Sequence, residues 1–187
     1  MRRQAAIIAA TLALAVPGLA QAETARGATD TKTVGIVGTV PAMCFGGTLT
    51  GDGTFDLGVL VDLTTGQLRT DLSAPAKLLV GSYCTSRSTI TVTATPLEAQ
   101  NYVASPPAGF SRVVHYQATA SGWTATPASY NTGAASNAAA TQTRNTAFTG
   151  DITVAISNFS TSGGATLRLV GDNSYRGVVT VTLAAVN

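Results

Sequence analysis

Through much of the chain, apolar residues return at every second position. Between residues 88 and 95, Ile90, Val92 and Ala94 alternate with Thr89, Thr91, Thr93 and Thr95. Successive side chains of a β-strand point to opposite faces, so this stretch predicts a half-buried strand with an apolar face and a threonine face. Val34, Ile36, Gly38 and Val40 repeat the pattern until Pro41 stops it. Further strands are predicted over 54–61, 77–83, 112–118, 151–157, 165–170 and 176–186, set apart by clusters of Gly, Asp, Ser and Pro. The Ala-rich tract 132–140 has no large apolar anchors and lies near Pro127 and Gly133, which predicts a loop rather than a helix. About seven or eight short antiparallel strands without a long helical stripe predict an all-β sandwich; a closed barrel is the second arrangement open to them.

The beginning of the chain follows a different pattern. Arg2 and Arg3 precede an apolar run over 5–16, which Pro17 and Gly18 end before the small-x-small triplet Ala20-Gln21-Ala22. This is the layout of a secretory signal peptide, with cleavage expected after Ala22. The run of about 12 residues falls short of the roughly 20 that a spanning helix needs, so no retained membrane anchor is expected. Residues 1–22 then form a cleaved leader, 23–33 a mobile extension poor in apolar residues, and 34–187 a single sandwich domain.

Composition narrows the function. Only 11% of residues are charged, and the 11 Lys and Arg exceed the 9 Asp and Glu by the two arginines of the leader. The mature chain is therefore near neutral and carries no basic patch for nucleic acid. Export places Cys44 and Cys84, the two cysteines of the chain, in an oxidising compartment, where a pair predicts one bridge. His115, the single imidazole, sits in an apolar-flanked run and reads as a strand residue. No Gly-x-Ser-x-Gly elbow accompanies it, and the acids lack calcium-loop spacing. No catalytic residue, metal ligand or cofactor is expected. The aromatic stretch 122–130 offers Trp123 and Tyr130 as glycan contacts, the basis of an alternative reading as a self-contained binding module for glycans or surface polymers.

Three segments carry a resemblance: VGIVGTVPAMC at 34–44, LLVGSYC at 78–84, and GDNSYRGVVTVTL at 171–183. Together they look like the pilin superfamily of bacterial chaperone-usher systems, and the closing motif is similar to the spore coat protein U domain, its archaic branch. The resemblance implies an immunoglobulin-like sandwich lacking its last strand, completed by a strand donated from a neighbour. It implies a donor around 33–40, with Val34, Ile36 and Val40 as apolar contacts, and an acceptor groove lined by Val179, Val181 and Leu183. It implies Cys44 and Cys84 as the bridge, a periplasmic chaperone and an outer-membrane usher as partners, like subunits in a homopolymer, and a place in the periplasm and then on the cell surface. On that reading the chain is an exported structural subunit of a surface fibre or coat.

Overall fold

A computed structural model describes Thr29 and residues 31–186. The leader expected at 1–22, with its cleavage site, and most of the extension at 23–33 lie outside the described residues. From Thr39 onward the chain forms one compact unit, so the residues before it are taken separately.

Five long strands carry the fold. They are β3 (Lys77–Cys84), β4 (Ser88–Ala94), β7 (Val113–Ser121), β10 (Phe148–Thr161) and β13 (Val179–Ala185). Short ones join them: β1 (Cys44–Phe45), β2 (Thr48–Leu49), β5 (Leu97–Ala99), β6 (Phe110–Ser111), β8 (Ala128–Asn131), β9 (Thr141–Arg144), β11 (Arg168–Leu169) and β12 (Tyr175–Arg176). No helix occurs among the described residues. The larger sheet runs β1-β3-β10-β7-β5-β12, with β2 also on β3 and β8 also on β7; the smaller runs β13-β4-β9. All pairs are antiparallel except β6 with β11. The two sheets make the expected all-β sandwich of the immunoglobulin-like kind.

Alternation decides which side chains fill it. On β4, Ile90 and Val92 are fully buried, and on β7 Val114, Tyr116, Ala118 and Ala120 are buried at every second position. Small Ala side chains on β7 leave room for Trp123, which is itself fully buried. The Ala-rich tract is a loop, as its lack of apolar anchors predicts, and it closes one side of the sandwich. Its flank supplies Ala139 O, which accepts the Ser129 N–H of β8, and Ala140 O, which accepts the Val92 N–H of β4. Asn137 Oδ1 accepts the Asn131 N–H at 2.6 Å, holding the loop against β8.

Two predicted strands are not formed. Residues 34–40 contain no strand, and 54–61 is irregular chain, turned at Gly58 (φ 64°), whose sole ladder contact among the described residues is the isolated bridge of Val61 with Leu68. Alternation is necessary for a strand, but a partner edge is needed as well, and neither segment has one in the single chain. The strand expected at 165–170 shrinks to the two residues of β11.

Candidate functional site

The other side of the sandwich is open. Thr95 N–H donates to Val178 O at 2.9 Å, and Val186 N–H donates to Arg87 O at 2.8 Å. These bonds bracket the β13–β4 ladder and fix its phase, because in an antiparallel pair a residue directs both its N–H and its C=O to the same side. Thr180, Thr182 and Ala184, opposite Thr93, Thr91 and Thr89, thus bond to β4. Val179, Val181, Leu183 and Ala185 direct their backbone groups away from it, to an edge that no described strand occupies. Their side chains belong to the core face, yet Val179, Val181 and Leu183 are only partly buried against the core. The acceptor positions implied by the resemblance therefore lie together on one strand, with apolar faces half-covered and backbone groups unpaired.

A groove of about 1000 Å³ lies beside the upper end of this edge. Residues 53–61 form one wall and 171–179 the other, while Leu97, Tyr116, Ile156 and Leu169 lie between them. The wall at 53–61 has Phe55 packed against the core, but between Thr50 and Leu60 it makes no backbone–backbone hydrogen bond among the described residues. The wall at 53–61 thus offers unpaired backbone beside an apolar floor, whereas 174–178 is held to β5 and to the end of β4. Tyr116 ties floor to wall by donating its hydroxyl to Val178 O at 3.3 Å, and burial pushes its pKa up to about 12, so the phenol stays a donor at physiological pH. Gly177 leads into β13 where the backbone is crowded. A Cβ there would stand 2.8 Å from both Thr95 O and Pro96 O, so a side chain at this position would push β13 off β4.

At the other end of the edge, β1 is tied to β3. Cys44 and Cys84 face each other in the ladder with Cα atoms 4.1 Å apart and are bridged. Cys84 is buried, whereas the strand it anchors is two residues long. Gly47 makes the tight connection from β1 to β2 at φ 79°, where a Cβ would come within 2.8 Å of Val80 O.

The candidate donor residues stand in the open. Val34, Ile36 and Val40 are 82%, 95% and 82% exposed, and residues 31–43 include no strand. Three isolated exposed β-branched residues would be ordinary, but here they keep period two over seven positions.

The candidate glycan contacts are placed otherwise. Trp123 is fully buried, donates Nε1–H to Ser88 Oγ at 3.2 Å and meets the Phe148 ring edge-on at 5.0 Å, so it offers no face to a sugar. The Arg144 guanidinium lies 3.6 Å over the other partner, Phe148, and donates to Trp123 O at 2.6 Å, closing this end of the core. Tyr130 pairs with Ala118 on β7 and packs against the same core. The indole is therefore enclosed while the phenol is half-buried, two environments that the turn context in the sequence does not distinguish. His115 is half-buried on β7, with its Nδ1 3.4 Å from Thr132 Oγ1, and no acid is hydrogen-bonded to it. Among the described residues, no three His, Cys, Asp or Glu converge to hold a metal.

One polar cluster escaped the sequence reading. Asp172 accepts from the backbone N–H groups of Asn101, Tyr102 and Ser174 and from Asn101 Nδ2, all within 2.7–2.9 Å. Desolvation acts to raise its pKa, but these hydrogen bonds outweigh it and bring it down to about 2. With its acceptor capacity filled, the carboxylate is a staple between the loop after β5 and the groove wall.

No family model, no curated protein and no solved structure matches the chain.

Proposed function

We propose that the protein is an exported structural subunit that joins like subunits by strand exchange, its groove taking the 33–40 segment of a second copy. The observation that carries this reading is the free edge of β13, where Val179, Val181 and Leu183 combine half-buried core side chains with unpaired backbone. An added strand would satisfy both at once, bonding its backbone to the edge while alternate side chains cover the core. The exposed period-two series Val34, Ile36, Gly38 and Val40 has the right repeat, because its apolar members would all face the groove. Before assembly an edge of this kind needs a holder, which supports a periplasmic chaperone and an outer-membrane usher as partners in the pilin-like reading. Surface fibre or coat is the setting that follows, with no enzymatic step.

The test is the assembly state of the mature chain, residues 23–187, refolded with its bridge intact. Light scattering and unheated denaturing gels are expected to show a ladder of polymers that dissociate on heating. A cooperative monomer at all concentrations, with no gain in melting temperature on adding a peptide of residues 29–42, would contradict the reading.

A further inference from the structure

Hydrogen bonds converge on one residue where the extension joins the sandwich. Thr85, just after β3, donates its N–H to Met43 O at 2.9 Å and its hydroxyl to Pro41 O at 3.1 Å, and its Oγ1 accepts the Met43 N–H at 3.0 Å. The Met43–Thr85 contact lies one step beyond the bridged pair Cys44–Cys84, so the root of the extension runs on past the end of β3. In the same turn, Arg87 O accepts the N–H of Val186, the residue after β13. Residues 85–87 therefore hold both the root of the extension and the end of the acceptor strand.

We propose that Thr85 is the positioning residue that commits the 33–40 segment to another copy by denying it the chain's own groove; this rests on the strand-exchange reading above. A tethered segment meets its own groove at an effective concentration in the millimolar range, so self-insertion wins unless geometry forbids it. Cys44 is covalently fixed, which leaves residues 41–43 as the place where the chain would have to reverse to lie along its own β13. Reversal there means lifting Pro41 and Met43 off Thr85 and losing all three bonds. Pro41 adds to the obstacle, because its ring fixes φ and biases Val40 toward an extended conformation, so neither residue turns freely. The clamp leaves the segment free to enter a groove that is not its own.

The hydroxyl is the part that can be removed. Thr85 is exposed, so Thr85→Val and Thr85→Ala keep the core intact, while Thr85→Ser retains the hydroxyl. The three variants and the parent are refolded oxidised at one concentration, and closed monomer is separated from polymer by size exclusion with light scattering. Loss of two hydroxyl bonds is expected to raise the monomer-to-polymer ratio about tenfold in Thr85→Val and Thr85→Ala, with Thr85→Ser at the parent ratio. A general loss of stability would lower the melting temperature without producing a closed monomer that no longer responds to added 29–42 peptide. If the Val and Ala variants polymerise in the parent proportion, the role of Thr85 is overturned and strand exchange stands. If the parent itself forms no polymer, strand exchange fails and this role falls with it.

Discussion

The carboxylate of Asp172 is one of the places where a single side chain organises the groove wall. Its folded pKa of about 2 lies below the ordinary 3.8, so the contribution it makes is present above the ordinary value and is lost as pH falls through about 2. Stability is expected to drop between pH 4 and pH 2 in the parent and to drop less steeply there in Asp172→Asn; thermal melts across that window check it. Equal slopes would mean that the staple carries no linkage. Nothing in the sequence announced this residue, because its partners Asn101 and Tyr102 come from a loop some seventy positions earlier. The two cysteines were legible for the opposite reason, since a single pair with one histidine in the chain has few other uses. Trp123 reads from the sequence as a glycan contact, and its burial was not legible: it depends on the small residues of β7 and on Ser88, which no local pattern connects to it.

At the scale of elements, alternation read well wherever a long strand has neighbours on the sheet. β3, β4, β7 and β10 fall where the period-two runs lie, although β10 extends beyond its run at both ends. The two-residue strands β1, β2, β6, β11 and β12 could not be read, because they are set by what they happen to lie against and not by their own pattern. Residues 34–40 and 54–61 mark the converse case, in which the pattern of a strand is present and the partner is missing. The β1–β3 connection shows what so short a strand needs in order to hold. Closing a loop of 40 positions, the Cys44–Cys84 bridge is expected to contribute about 4 kcal/mol by restricting the unfolded chain. Denaturant titration of the oxidised protein against Cys44→Ser/Cys84→Ser measures this, and an unchanged midpoint would remove the bridge from the stability of the fold.

At the largest scale, the unit from Thr39 onward is a sandwich closed along one side and open along the other. On the closed side the loop before β9 links β8 to β4 through backbone hydrogen bonds; on the open side β13 and the wall at 53–61 stand apart above an apolar floor. That asymmetry supports the proposal that the free edge of β13 receives a strand from a second copy. The most direct test is amide hydrogen exchange, followed residue by residue on the oxidised chain with and without a saturating peptide of residues 29–42. Protection is expected to rise at Val179, Val181, Leu183 and Ala185, whose N–H groups face the open edge, and to stay high throughout at Thr180, Thr182 and Ala184, which already bond to β4. Equal exchange at the odd-numbered amides with and without peptide, or strong protection there in the isolated chain, would contradict the account.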